Sequence, residues 1–253
     1  LVAYPGARPV IGRVGGAPET GLRTPNIAGG PFSHWVVAGF KLQGVEAMSV
    51  SNGADDWRVV GNELTCPLGN GATGCFSTSS VTNLKFLGNE VHGAGMNGAS
   101  KLYHSVYFST DSNHVEVGWN HVHDNPSCRG IQFHSSPLCV PTCGAGDTTG
   151  FNQFDLSVHD NRVHGQVCDG INFATVDPSK GKVVAYNNVI WDVGRGPDPP
   201  EGPASYAGVY VAGATNSGPA GSGTVELFNN TLYDCGAHGG GSAGAFSVGA
   251  GSP

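Results

Sequence analysis

The stretch LKFLGNEVH (84–92) carries the motif that decides the fold: two apolar residues in alternation, an asparagine, and another apolar residue two places later. The motif recurs in five more stretches, WRVVGNELT (57–65), VEVGWNHVH (115–123), LSVHDNRVH (156–164), VVAYNNVIW (183–191) and VELFNNTLY (225–233). Because apolar residues recur every two positions on both sides of each asparagine, the pattern predicts β-strands and not helices.

A further strand follows the motif in most copies and is usually led by glycine. The copies are VYFST (106–110), GIQFHS (130–135), GINFAT (170–175), GVYVAG (208–213) and GAFSVG (244–249). One such unit cannot bury its apolar face alone, so successive copies must stack. Stacking predicts a right-handed parallel β-helix in which equivalent positions form columns about 4.8 Å apart. Residues five and three before each asparagine, and two after it, are expected in the core.

The composition excludes several classes of protein. The 253 residues include 41 glycines but only 12 basic and 19 acidic residues, which give a net charge of −7. With no basic run, a nucleic-acid partner is not expected. No apolar stretch approaches the roughly 18 residues that a membrane span needs. Seven cysteines and sparse charge predict a secreted or cell-surface protein.

The asparagine ladder and the glycine-led strands resemble the secreted β-helix repeats of the pectate-lyase-like superfamily. The resemblance covers about residues 34–248, and YPGARPVI (4–11) resembles the first coil of such proteins. It implies an all-β, single-domain right-handed parallel β-helix over 1–253 with about seven coils and a missing N-terminal cap. Residues 1–33 would form the first-coil segment, 34–248 the stacked coils and 249–253 a tail.

Three cysteine pairs are candidates for disulfides. Cys128 and Cys168 both lie two residues before the glycine of consecutive copies. Stacking therefore puts their Cα atoms about 4.8 Å apart, within disulfide range. Cys66–Cys75 and Cys139–Cys143 are the other candidate pairs, which leaves Cys235 over. The alternative is that most of the cysteines are buried thiols.

Polar and charged residues gather on the glycine-led strand and predict a site there. Three consecutive coils place His104, Arg129 and Asp169 in one column, and Lys101 lies in the turn that feeds the strand. Outward positions further along are filled by Tyr107, Gln132, Asn172 and Tyr210, followed by His134. The candidate catalytic residues are Lys101, His104, Arg129, His134 and Asp169. The candidate substrate-binding residues are Tyr107, Gln132, Asn172 and Tyr210.

An acidic polysaccharide suits such a site. Eliminative cleavage of a uronate needs a cation at the carboxylate and a base for the C5 proton. Arg129 or a bound Ca²⁺ fits the first role, and Lys101, His104 or His134 the second. The site is similar to those of alginate-lyase and chondroitinase-B type enzymes, which use a lysine and an arginine from neighbouring coils. Hydrolysis would need a carboxylate pair, and Asp111, Asp169 and Asp177 form no obvious one. The alternative without chemistry is a surface ion-pair ladder.

A second column, three residues after each asparagine, contains His92, His123 and His164. Neutral imidazoles on consecutive coils can ligate a transition metal, but stacking of like side chains explains the column equally well. His114, His121 and His159 are assigned to other faces.

Two main functions follow from these patterns, and a metal-binding surface protein that uses the histidine column is a third. The first is a secreted β-helix that binds or cleaves an acidic polysaccharide over the glycine-led strand. The second is a non-catalytic subunit of an extracellular fibre, in which copies of this chain stack end to end through open sheet edges. The fold alone does not choose between them.

Overall fold

The structure, a computed structural model, describes residues 1–14, 20–25, 32–69, 71–95, 100–135, 153–212, 223–240 and 242–249. Over these ranges every regular element is a β-strand, and the 23 strands are numbered in chain order. They form three parallel sheets of eight, eight and seven strands, one strand from each sheet per coil. The chain is thus a right-handed parallel β-helix, and the fold class expected from the sequence is confirmed.

Sheet A contains the strands that precede each asparagine. Its members are β3 (Trp35–Ala38), β6 (Asp55–Val60), β9 (Thr82–Leu87), β12 (Asn113–Gly118), β15 (Leu156–His159), β18 (Val183–Tyr186) and β21 (Val225–Phe228). Val115 pairs with Leu84 on one side and with Leu156 on the other, which is the register that the repeated motif predicts.

Sheet B contains the short strands that follow the asparagine. Its members are β1 (Val10–Gly12), β4 (Lys41–Gln43), β7 (Glu63–Thr65), β10 (Glu90–His92), β13 (His121–Asn125), β16 (Arg162–Gln166), β19 (Val189–Val193) and β22 (Thr231–Cys235).

Sheet C contains the glycine-led strands together with three earlier strands. Its members are β2 (Thr20–Arg23), β5 (Glu46–Ser51), β8 (Thr73–Ser79), β11 (Tyr103–Ser109), β14 (Ile131–His134), β17 (Ile171–Phe173), β20 (Tyr206–Val211) and β23 (Ala243–Val248).

A buried ladder of asparagine side chains joins the coils between sheets A and B. The Nδ2 of Asn89 donates to the Oδ1 of Asn120 at 3.1 Å and to the carbonyl oxygen of Val59 at 2.9 Å. The same pair of bonds recurs from Asn62 to Asn188. In the coil of β3 and β4 the place of the asparagine is taken by Phe40, whose backbone N–H donates to Asn62 Oδ1 at 3.0 Å.

Left-handed corners flank the asparagines of the ladder. The residue before each asparagine has a positive φ, as at Gly88 (61°), Trp119 (57°) and Asp160 (53°). From Asn89 to Asn230 the residue four places after the asparagine has a positive φ too, as at Asp124 (50°) and Gly165 (67°). Glycine, aspartate and asparagine tolerate this region best, which explains why they recur at these positions. The corners hold the three strands of each coil at fixed angles.

The core lies between the three sheets, where the alternation placed it. The inward residues of sheet A are fully buried from Val59 to Ala185, whereas Val225 and Leu227 of the last strand are only partly buried. On sheet C an aromatic column packs inside the solenoid, with ring centroids 4.8 Å apart for Phe108–Phe133 and 5.4 Å for Phe133–Phe173.

Two of the three expected disulfides are present. Cys128 and Cys168 are bonded across neighbouring coils with Cα atoms 4.7 Å apart, and Cys66 is bonded to Cys75. Cys235 carries a free, half-buried thiol, as expected. Cys139 and Cys143 lie outside the described residues. Among the residues described, no helix is long and apolar enough to cross a membrane.

Candidate functional site

A groove of about 890 Å³ runs over the outer face of sheet C. Its floor is formed by β11, β14, β17 and β20, and one wall by residues 101–102 and 203–205, which lie in connections from sheet B to sheet C. Of the nine residues predicted to form the site, eight line it: Lys101, His104, Tyr107, Arg129, Gln132, His134, Asn172 and Tyr210. The ninth, Asp169, lies beneath the floor.

The register of sheet C brings these residues together. Tyr107 pairs with Gln132, Gln132 with Asn172, and Asn172 with Tyr210, so the four form one outward column. The hydroxyl of Tyr107 also reaches the next column, where its Oη lies 3.1 Å from His134 Nδ1. The predicted columns are therefore present in the predicted order.

Arg129 is held from two sides. Its Nε donates to Asp169 Oδ2 at 3.0 Å, and its Nη1 donates to the carbonyl oxygen of Lys101 at 3.0 Å. The guanidinium is thereby fixed at the groove before any ligand arrives, which lowers the entropic cost of binding an anion there.

Asp169 is saturated with donors. Besides Arg129, its carboxylate accepts hydrogen bonds from Asn172 Nδ2 (2.6 Å), Ser205 Oγ (2.5 Å) and the backbone N–H of Ala207 (2.9 Å). A buried carboxylate that accepts from four donors has no free face for a substrate. Its place in the site is to position Arg129.

Three aromatic side chains cross the groove floor. The rings of His104 and Tyr107 lie 4.8 Å apart, and Tyr107 contacts His134 in turn. Burial, with Arg129 and His134 nearby, holds the pKa of His104 well below its ordinary value. Burial, then Arg129, also lowers the pKa of His134, and burial raises the pKa of Tyr107. Both histidines are therefore neutral near pH 7.

The groove contains polar atoms that the described part of the protein leaves without a hydrogen-bond partner. Among the described residues, six buried side-chain nitrogen or oxygen atoms have no hydrogen-bond partner. Four of the six belong to residues that line the groove: His104 Nδ1, Gln132 Oε1, Asn172 Oδ1 and Ser135 Oγ. Asn172 is 1% exposed and Gln132 5%, more buried than their outward positions suggest. An unpaired buried polar atom costs about 1–3 kcal/mol, so their concentration in one place favours a polar ligand.

The charge of the groove is opposite to that of the protein. The net charge is −7, yet the described lining carries Lys101 and Arg129 and no aspartate or glutamate. At the rim, Glu201 accepts from Ser100 Oγ at 2.6 Å and from the backbone N–H of Lys101 at 3.2 Å. The paired carboxylates that a glycoside hydrolase needs are not part of the described lining.

The histidine column is a stack of rings on the outer face of sheet B. Successive centroids lie 5.4 Å apart for His92–His123, 5.3 Å for His123–His164 and 4.2 Å for His164–Trp191. His92 turns its Nε2 to Glu63 Oε1, 3.2 Å away.

His121 belongs to the same surface, so its assignment to another face is wrong. Its ring lies 4.1 Å from that of His123, and its Nε2 lies 3.0 Å from His164 Nε2. Residues 121 and 123 are two apart on one strand and so point to the same side, a signal that was present in the sequence. His114 and His159 do lie elsewhere, on sheet A.

Within the described ranges one cluster could hold a metal ion through three or more histidine, cysteine or acidic side chains. It consists of His121, His123 and His164, whose ligand atoms lie within 4.8 Å of one another. His92, included in the predicted set, is replaced there by His121. No acidic cluster for Ca²⁺ is found in the same ranges.

Comparison with known proteins gives little beyond the fold. No family model and no curated protein matches the chain. Among solved structures, an alginate lyase from Paenibacillus sp. str. FPU-7 is similar, with 15% sequence identity and a TM-score of 0.43. The similarity covers 83% of this chain and 80% of that one.

Proposed function

We propose that the protein binds an acidic polysaccharide in the groove over sheet C and cleaves it by β-elimination. The observation that carries this proposal is a pre-positioned cation, Arg129, on a groove whose described lining holds no carboxylate. A guanidinium binds a uronate carboxylate through parallel hydrogen bonds, and Lys101 adds positive charge at the rim. The unpartnered atoms of His104, Gln132 and Asn172 are suited to sugar hydroxyls.

The chemistry is assigned to the pair of Tyr107 and His134. When His134 Nδ1–H donates to Tyr107 Oη, the lone pair of His134 Nε2 is free to accept the C5 proton. The C5–H electrons form the C4=C5 double bond as the C4–O bond breaks, and Tyr107 Oη–H protonates the departing oxygen. Arg129 neutralises the carboxylate and so stabilises the charge that develops at C5.

The remaining candidates have supporting roles in this proposal. Asp169 positions Arg129, and His104, which is nearly fully buried and neutral, contributes a hydrogen bond and not a base. Tyr210 and Gln132 extend the binding surface along the column. The two disulfides favour an oxidising compartment, so we place the protein outside the cytosol.

The test uses the purified protein with alginate, pectate and chondroitin sulfate. Ultraviolet absorbance reports the unsaturated chain ends that elimination leaves, and affinity electrophoresis reports binding. We expect Arg129→Ala to lower the rate by about 10²–10³-fold. Arg129→Lys should retain part of it. Arg58→Ala on sheet A is the matched control and should leave the rate unchanged.

The outcomes separate binding from catalysis. Binding without unsaturated products would overturn the elimination step and leave the binding proposal standing. Neither binding nor products with all three polymers would overturn the whole proposal. The end-to-end fibre stays a separate prediction, to be checked by negative-stain microscopy at high protein concentration.

A further inference from the structure

The outer face of sheet B carries a histidine cluster that ring stacking does not explain. His92, His123 and His164 stack as one column with 14° between neighbouring planes. His121 stands beside this column and directs its Nε2 at His164 Nε2, 3.0 Å away. A side-chain ladder needs no such convergence of two ring nitrogens.

We propose that His121, His123 and His164 bind a divalent transition-metal ion of the zinc class. Nitrogens bound to one Zn²⁺ at about 2.0–2.1 Å lie roughly 3.3–3.4 Å apart at the tetrahedral angle. The ligand atoms of the three histidines lie within 4.8 Å of one another, so small ring rotations bring them to that separation. The three rings are half-buried and come from neighbouring coils, which limits their freedom.

The surroundings of His123 match those of a metal-binding histidine. Its Nδ1 lies 2.9 Å from Asp124 Oδ2, so that Nδ1–H can donate to that carboxylate while Nε2 takes the metal ion. Ligating histidines commonly donate their second N–H to a carboxylate, which fixes the tautomer. Glu90 Oε1, 3.3 Å from His123 Nε2, supplies an oxygen donor for the fourth position.

The backbone supports the position of Asp124. Asp124 lies at a left-handed corner (φ 50°), directly opposite Gly165 (φ 67°). A Cβ on Gly165 would lie 2.9 Å from the backbone N of Asp124 and 3.0 Å from its Oδ1, so a larger residue would displace the carboxylate.

The electrostatics suit a dication. The acidic groups that face the cluster are Glu90, Asp124 and Asp192, and the basic ones are Arg162 and Arg195. The carboxylates thus exceed the guanidinium groups by one.

The test titrates ZnCl₂ into the untagged protein by calorimetry and uses Co²⁺ absorption to report the donor geometry. We expect one ion per chain for the wild type and for His92→Ala, which removes a member of the column but not of the cluster. His121→Ala should abolish binding, and Asp124→Asn should weaken it by about 10–100-fold.

Three results would overturn the proposal. They are no stoichiometric binding by the wild type, equal losses in His92→Ala and His121→Ala, and a Co²⁺ spectrum unchanged by His121→Ala. Circular dichroism of each variant checks that the fold is intact. Should His121→Ala unfold, His121→Gln serves in its place, because it keeps a polar side chain of similar reach.

Discussion

Arg129 Nε lies 3.0 Å from Asp169 Oδ2, and the Asp169 side chain is wholly buried while Arg129 reaches the groove. The pair thus links the interior of one coil to the surface of its neighbour. Removing one member of a buried ion pair leaves the other charge without compensation, which costs more than the pair itself contributes.

Asp169→Asn is therefore expected to destabilise the protein. The amide presents an NH₂ group to a site that supplies four donors, so we expect a loss of about 3 kcal/mol in the free energy of unfolding. Urea denaturation measures it. Asp234→Asn, at an exposed left-handed corner, is the control and should change stability by no more than about 0.5 kcal/mol. Equal effects of the two substitutions would contradict the assigned role.

The asparagine ladder should be most sensitive at its centre. Asn120→Ala removes the acceptor of the Asn89 backbone N–H and the donor to the Phe86 carbonyl, both in buried surroundings. We expect the free energy of unfolding to fall by about 2–4 kcal/mol, since each buried polar group left unpaired costs about 1–3 kcal/mol.

Asn230→Ala provides the comparison, because Asn230 is only half-buried at the last position of the ladder. Asn230→Ala should lower the free energy of unfolding by clearly less than Asn120→Ala does. In Asn120→Ala, hydrogen exchange should show that the backbone N–H of Asn89 exchanges faster than in the wild type. An unchanged exchange rate of this N–H would be evidence against its hydrogen bond to Asn120.

The two disulfides should differ in their contribution to stability. Cys128 and Cys168 are 40 residues apart, whereas Cys66 and Cys75 are 9 apart. Because the longer loop loses more entropy on closure, paired alanine substitutions should cost about 4 kcal/mol at the first and about 3 kcal/mol at the second. Thermal and urea unfolding of the two double variants measure the order, and the reverse order would refute the loop-entropy account.

Elimination in the groove should persist into mildly acid solution. Burial and Arg129 lower the pKa of His134 below its ordinary value of 6.5, so its neutral form remains available as pH falls through 6.5. The rising limb of the rate against pH should therefore have its midpoint below 6.5. Rate profiles on the preferred polymer measure it, and a midpoint above 6.5 would exclude His134 in this environment as the base.

The fold could be predicted from the sequence because each coil repeats the same local chemistry. Alternating apolar residues fix which faces are buried, and the Asn120–Asn161 contact follows once the strands are stacked. Register then placed Tyr107, Gln132 and Asn172 in one column without any knowledge of coordinates.

Properties that depend on contacts between distant segments of the chain could not be predicted from the sequence. The saturation of Asp169 depends on Ser205 and Ala207, which lie at the start of β20 on the neighbouring coil. The burial of Gln132 and Asn172, which the strand alternation places on the outer face, is another such property. The position of His121, in contrast, could have been predicted, because residues two apart on a strand point to the same side and His121 precedes His123 by two.

The geometry of the asparagine ladder does not depend on the number of residues between successive asparagines. Asn120 and Asn161 are 41 residues apart and Asn161 and Asn188 only 27, yet both side-chain contacts measure 2.9 Å. The extra residues of the longer interval fall in the sequence between the end of β14 and the start of β15, two strands that each keep their place in the stack. The described wall of the groove, residues 101–102 and 203–205, also lies in connections between strands. Evolution can therefore change what the groove accepts by altering such connections while the coil spacing stays constant.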